Sequence, residues 1–166
     1  MEQFEEIKKE ILQRAHKAGA CTEQYKKAYQ SENIETLCDV IKENFWWCCR
    51  NNVLNGELID KYKEVFSNNK IYHNVSVTNG FLLASGNSTL KAFGNSTVKA
   101  YDNSTVKAFG NSTVEAFGNS TVEAFGNSYI NCNSTIECVL KDNSIVRRWD
   151  TNTIQYVSNG LKFEKI

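Results

Sequence analysis

The residues suited to chemistry are few and scattered. Cys21, Cys38, Cys48 and Cys49, with His16, offer soft metal ligands in the first third of the chain. No Cys-x2-Cys pair exists, and adjacent cysteines on a helix point about 100° apart. Buried thiols are therefore expected rather than zinc, and no cofactor is expected. His16 and His73 are the only histidines, and neither a Ser-His-acid nor a Cys-His set is legible. There is no phosphate loop. Lys141-Asp142, Arg147, Arg148 and Asp150 form the one mixed cluster of acids and bases. Polysaccharide enzymes of the β-helix type interrupt their coils with such groups. Here the cluster falls where a repeat decays, so an end cap is the simpler expectation, and the chain is expected not to be an enzyme. What remains is surface chemistry. Trp46, Trp47 and Arg50 lie close together, and evenly spaced aromatics (Phe93, Tyr101, Phe109, Phe117, Phe125) alternate with Lys91, Lys99 and Lys107.

The element that must position those aromatics is an internal repeat, the dominant signal in the chain. Residues 86–125 read GNSTLKAF, GNSTVKAY, DNSTVKAF, GNSTVEAF, GNSTVEAF, five consecutive octads. The frame continues in degraded form as GNSYINCN, STIECVLK and DNSIVRRW, and residues 78–85 fit it upstream. Residues 150–157 keep Asp150, Thr153 and Ile154 in frame, but Asn152 sits one place late. Within an octad, period-two alternation turns the third-place serine, the fifth-place branched residue and the seventh-place alanine inward. The threonine and the charged residue then face outward. Gly-Asn or Asp-Asn supplies the bend, since these types tolerate positive φ. One strand and one corner cannot close a loop, whereas two octads can. The expectation is a parallel β-solenoid of about 16 residues per coil, roughly ten octads in about five coils. Asn87, Asn95, Asn103, Asn111 and Asn119 should stack as buried amide ladders at the corners. Ile130, Cys132, Ile136, Cys138 and Leu140 continue the inward pattern with larger groups, so the rod should widen or lose order there.

The first 70 residues follow a different period. Phe4, Ile7, Ile11, Leu12 and Ala15 fall on one helical face that Gly19 can terminate. Thr22 is the expected cap of a short helix carrying Tyr25, Ala28 and Tyr29. Ser31 is the expected cap of a longer one with Ile34, Leu37, Cys38, Ile41, Phe45 and Cys48 inward, ended by Asn51-Asn52. Asn55-Gly56 opens another, with Leu58, Ile59, Tyr62, Val65 and Phe66 inward. The fold class is α+β: a bundle of three or four short helices (1–70), the octad solenoid (71–157), and a capping segment (158–166). Ser158-Asn159-Gly160 in that segment reads as a hairpin turn. Open solenoid ends are sticky edges, so the helices should cover the first coil and the terminal segment the last.

Composition narrows the function. Of 166 residues, 19 are Lys or Arg and 19 are Asp or Glu, so net charge is zero. That balance argues against direct nucleic-acid binding and against an anionic membrane as main partner. No apolar run approaches the ~18 residues of a membrane helix. The acidic start, Glu2-Gln3-Phe4-Glu5-Glu6, lacks the apolar core of a secretory signal, and six cysteines then fit a reducing cytoplasm. The six Asn-Ser-Thr triplets read as corner turns rather than glycan sites. Threonine ranks on solenoids resemble those of ice-binding proteins, but Lys or Glu fills the second slot of each expected pair. Nothing resembles a calcium roll, since no aspartate repeats. The eighth-place aromatics can be read two ways. Inside, they are core stacking. Outside, Phe93, Phe109 and Phe125 form one ladder and Tyr101 with Phe117 another, a surface for a protein, a sugar or bases. Trp46 and Trp47 either pack on the first coil or anchor a partner.

The octads, with Cys21-Thr22-Glu23-Gln24-Tyr25 and Ile41-Lys42-Glu43-Asn44-Phe45-Trp46, resemble a group of small proteins of Bacteroidetes genomes and their mobile elements. These share a short helical head and octapeptide arrays. The resemblance implies a solenoid and a bacterial, phage or prophage source, and carries over no catalytic residue. By analogy with phage inhibitors, including anti-CRISPR proteins, the expected function is non-enzymatic. The rod would bind and inhibit a larger bacterial protein, such as a nucleic-acid-handling defence complex, as a monomer or as a homodimer through a solenoid end. A carbohydrate-binding aromatic ladder is the alternative reading; an ice-binding or structural protein is a weaker one.

Overall fold

The structure is a computed structural model that describes residues 2–157. The chain forms two compact units, the first ending at His73 and the second starting at Asn74.

The first unit contains six helices among the described residues: α1 (Glu2–Lys17), α2 (Thr22–Tyr29), α3 (Ile34–Glu43), α4 (Phe45–Arg50), α5 (Gly56–Lys61) and α6 (Lys63–Asn68), followed by strand β1 (Ile71–His73). The apolar faces converge as their spacing predicts. Ile7, Ile11, Leu37, Ile41, Phe45, Leu58 and Phe66 are all buried. Gly19 ends α1 in the left-handed region at φ +73°. Two expected helices are each broken in two. Asn44 leaves helical geometry at φ −114°, ψ 24°, while its side chain donates to the Val40 carbonyl at 2.8 Å, separating α3 from α4. Tyr62, at φ −119°, ψ 39°, separates α5 from α6. Ser31 is not the cap of α3. It is buried, and its hydroxyl donates to the Lys27 carbonyl at 3.2 Å. Asn33 caps instead, accepting from the Thr36 amide at 2.9 Å in a reciprocal box. Asn55 caps α5, accepting from the Leu58 amide at 2.9 Å. At Gly56 the chain lies so close to the His73 ring that a Cβ would stand 2.5 Å from it, and His73 Nδ1 lies 2.8 Å from Asp60 Oδ2.

The second unit is a parallel β-solenoid. One sheet contains β3 (Phe81–Ala84), β5 (Thr97–Ala100), β7 (Thr113–Ala116), β9 (Tyr129–Cys132), β11 (Ile145–Arg148) and β12 (Thr153–Tyr156), neighbouring in that order. The other contains β2 (Val77–Thr78), β4 (Thr89–Phe93), β6 (Thr105–Ala108), β8 (Thr121–Ala124) and β10 (Glu137–Leu140). Pairing is parallel with a 16-residue step, as in Thr89↔Thr105 and Val98↔Val114. Two octads therefore make one coil. The interior is a ladder of Val98, Val114 and Ile130 facing Leu90, Val106 and Val122, floored by alanines and all buried. The degraded octads keep the register, with Cys138 opposite Val122 and Arg148 opposite Cys132.

The corners follow the octad chemistry. First-place Gly94, Asp102 and Gly110 all have φ near +60° to +70°. A Cβ on Gly110 would come 2.9 Å from the Gly94 carbonyl oxygen. Aspartate is accepted in this place because its carboxylate takes a bond from the previous coil. Asp102 Oδ2 accepts from the Gly86 amide and Asp142 Oδ2 from the Gly126 amide, each at 2.9 Å. Ser96, Ser112, Ser120, Ser128 and Ser144 donate to the carbonyl three residues back, as in Ser112 Oγ to the Phe109 carbonyl at 2.7 Å, whereas the buried Ser104 hydroxyl makes no such bond. The asparagine ladders form, Asn87–Asn103–Asn119 at 3.1 and 3.3 Å and Asn95–Asn111–Asn127–Asn143 at 3.2 Å throughout. Contrary to expectation these amides are exposed. The positive-φ corner swings the second-place side chain out of the interior.

The solenoid has about four turns rather than five. Residues 150–157 do not form a tenth octad. After Trp149 the chain turns at Asn152, φ +52°, and β12 runs back antiparallel on β11. It thereby covers the last edge of that sheet. The turn expected at 158–160 lies outside the described residues.

Candidate functional site

The aromatic series forms two stacked ladders at the corners, one for each sheet. Phe93 and Phe109 stack with centroids 4.9 Å apart and planes 14° apart; Phe109 and Phe125 follow at 4.6 Å and 9°. Tyr101 and Phe117 stack at 5.5 Å and 20°. The register explains this: equal places 16 residues apart are brought to strand spacing. Phe93 is 37 % exposed and the other four rings are half-buried, so the ladders belong to the surface of the coil.

On the β4–β6–β8 face the outward residues form a grid. Thr89, Thr105 and Thr121 make one rank, Lys91, Lys107 and Glu123 the next, and the phenylalanine ladder follows. Lys91 is exposed, and Lys107 pairs with Glu123 at 2.8 Å, as ladder spacing anticipates. This face thus presents ring edges beside ammonium groups.

Lys99 behaves differently, and its assignment to an outward, partner-facing position is corrected. It is 1 % exposed and pairs with Glu115 one coil on. Its ammonium also lies 4.4 Å from the Phe117 centroid and 5.7 Å from that of Tyr101. A buried ammonium persists only when paired, and a carboxylate with two aromatic neighbours meets that need.

In the helical unit, Trp46 is half-buried and meets Phe45 edge-on at 6.0 Å. Trp47 lines a cavity of about 330 Å3 with Ile11, Tyr25, Ile41 and Cys48, while Arg50 is exposed. Burial pushes the Cys38 and Cys48 thiols up to about 12. Cys21 is exposed. No group of three or more metal-ligating side chains occurs among the described residues.

The acids of the mixed cluster serve the coil corners. Asp142 holds Gly126, and Asp150 accepts from the Ser134 amide at 2.9 Å and its hydroxyl at 2.6 Å. Those bonds hold the Asp150 carboxyl below the usual carboxylate range. Arg147 is exposed, but Arg148 points inward, where earlier coils carry alanine. It meets Cys132 and Cys138 inside the solenoid. The octad pattern predicts the two cysteines in the core and places the arginine in an end cap. The available signal was parity: Arg148 occupies the inward seventh place.

Comparison with known proteins found no matching family model, no similar curated protein and no similar solved structure. No helix among the described residues is long and apolar enough to cross a membrane.

Proposed function

We propose that the protein is a non-enzymatic binding module whose β4–β6–β8 face docks on an acidic surface of a larger bacterial protein. The observation that carries this reading is the rigid grid in which the Phe93–Phe109–Phe125 ladder runs beside Lys91 and Lys107. Ring edges carry partial positive charge and the exposed Lys91 ammonium adds a full one, while the Lys107 charge is shared with Glu123. Carboxylates and backbone carbonyls of a protein surface complement both. Periodic backbone bonding fixes the grid before contact, which lowers the ordering cost of association. The resemblance of the octads directs the partner search first to nucleic-acid-handling defence complexes, where docking would inhibit.

The carbohydrate reading draws on the same ladder and is less well supported. A sugar stacks on ring faces, and both faces of Phe109 are covered by Phe93 and Phe125.

Affinity capture from bacterial lysate with the wild-type chain and with Lys91→Glu/Lys107→Glu tests the proposal. A stoichiometric protein recovered with the wild type and lost with the double variant supports it. Identical recovery with both, or no specific protein, overturns it. Trp46→Ala/Trp47→Ala serves as a parallel arm: loss there alone moves the docking surface to the helical unit.

A further inference from the structure

The seventh-place ladder of one sheet runs Ala84, Ala100, Ala116, Cys132, Arg148. Across the interior, the fifth place of the last octad in the other sheet is Cys138. Three groups with chemistry of their own are therefore brought together at the C-terminal end of an otherwise aliphatic core. Cys132 Sγ lies 3.6 Å from Cys138 Sγ and 3.1 Å from Arg148 Nη1. Arg148 is only 8 % exposed. Its other bonds run to neutral acceptors: the Asn133 and Ile136 carbonyls at 2.7 and 2.8 Å, and Gln155 Oε1 at 3.2 Å. No carboxylate among the described residues forms an ion pair with it. A guanidinium this buried calls for an anion, and the group placed to supply one is the Cys132 sulfur.

We infer that Cys132, Cys138 and Arg148 form a redox-modification site, in which the two thiols close reversibly to a disulfide on exposure to a small peroxide. Cys132 is the attacking sulfur. The Cys138 S–H and the Arg148 guanidinium both favour its thiolate, against burial and the Asp150 charge, and together they hold it below the ordinary thiol range. Cys138 is held high by the neighbouring Cys132 sulfur and by burial, and so keeps its proton. Cys138 is also the half-exposed member of the pair, and the oxidant enters beside it. The Cys132 thiolate attacks one oxygen of hydrogen peroxide. The O–O bond breaks, hydroxide leaves and takes a proton from solvent to become water, and Cys132 becomes a sulfenic acid. The Cys138 sulfur then attacks the Cys132 sulfur. The S–O bond breaks, and the departing oxygen leaves as water with the Cys138 proton. In total, two thiols and one peroxide give one disulfide and two waters. Arg148 is a positioning residue: it orients the thiolate and stabilises its charge. The disulfide ties β9 to β10 across the core, and a dithiol reductant reopens it.

The sequence provides a clean readout. Trypsin cutting after Lys107 and Lys141 releases residues 108–141, which contain Cys132 and Cys138 and none of the other four cysteines. The full chain is treated with hydrogen peroxide, alkylated under denaturing conditions and digested. The expected result is a 108–141 peptide two hydrogens lighter, with both thiols lost together and recovered with dithiothreitol. Cys138→Ser should stop at a dimedone-reactive sulfenic acid on Cys132. Arg148→Gln should slow oxidation at neutral pH about tenfold, equivalent to raising the thiolate pKa by about one unit, with Arg148→Lys restoring part of the rate. The wild-type pH–rate profile supplies a measurement that needs no variant. Its midpoint should lie below the ~8.5 of a free cysteine. A midpoint at or above that value, independent alkylation of the two thiols after peroxide treatment, or an unchanged profile in Arg148→Gln would each overturn the assignment.

Discussion

The helical unit and the solenoid solve the same problem with opposite materials. The helical core is built from large, unlike side chains (Ile7, Leu37, Phe45, Phe66), each meeting a different set of neighbours. The solenoid core is built from valine, alanine and serine repeated at a 16-residue step, each meeting a copy of itself. Local backbone geometry differs in the same sense. Helix starts differ from one another, α3 carrying the Asn33 box, α5 the Asn55 cap and α2, α4 and α6 no side-chain cap, whereas one left-handed first-place residue recurs at the corners from Gly86 to Gly126 and again at Asp142. The lesson concerns where stability is concentrated. In the first unit it lies in a few large buried groups. In the second it is spread along ladders, so that each rung depends on those next to it.

Substitutions can break that contrast or sharpen it. The largest effect is expected from Phe45→Ala, about 4 kcal/mol by denaturant unfolding, because a fully buried ring leaves a cavity. Val114→Ala in the solenoid should cost only about 2 kcal/mol. Equal costs would remove the distinction between the two cores. Next comes a pair of glycines that share a left-handed φ. Gly110→Ala meets the Gly94 carbonyl as well as backbone strain and should cost about 3 kcal/mol. Gly19→Ala, with nothing within 4 Å of its added Cβ, should cost only about 1 kcal/mol. Thermal unfolding of the two variants compares them directly, and the reverse order would deny that the coil corners are in tight contact.

Smaller effects are expected at the amides. Asn33→Ala removes a cap and should cost about 1 kcal/mol. Asn103→Ala removes two exposed ladder bonds, at 3.1 and 3.3 Å, and should cost about half as much, with increased amide exchange confined to neighbouring corners. The smallest effect is pH-dependent. Asp150 is depressed by its bonds to Ser134, so its stabilisation is full above the ordinary carboxylate value of about 3.9 and is lost as pH falls through the lower folded value. Asp150→Asn should therefore lower Tm at neutral pH, and the difference from wild type should vanish in strong acid. A difference that persists there would mean the side chain acts through packing rather than charge.

How much was legible in the sequence depended on whether a residue's environment repeats. Ser112, Val114 and Ala116 point inward as alternation demands, because every neighbouring coil imposes the same choice. The ladder positions of Phe93, Phe109 and Phe125 follow from the same period. The tenth octad failed where its own signal was weakest: Asn152, one place late, is the left-handed residue of a hairpin. In the helical unit, the faces were legible but the breaks at Asn44 and Tyr62 were not, since a break depends on side-chain bonds and packing that no period encodes. Lys99 obeys outward parity and is nonetheless buried, because Glu115, Tyr101 and Phe117 converge on it.

By itself the sequence determined the coil. A two-octad period with small inward residues and left-handed corners admits one economical closure, and identical neighbours then stack at strand spacing. The tertiary structure alone decided which aperiodic residues meet. Cys132, Cys138 and Arg148 come together because a 16-residue step places Arg148 on Cys132 while the opposite sheet delivers Cys138 across the core. That distance is set by coil thickness, a property of the packed solenoid that no linear spacing expresses.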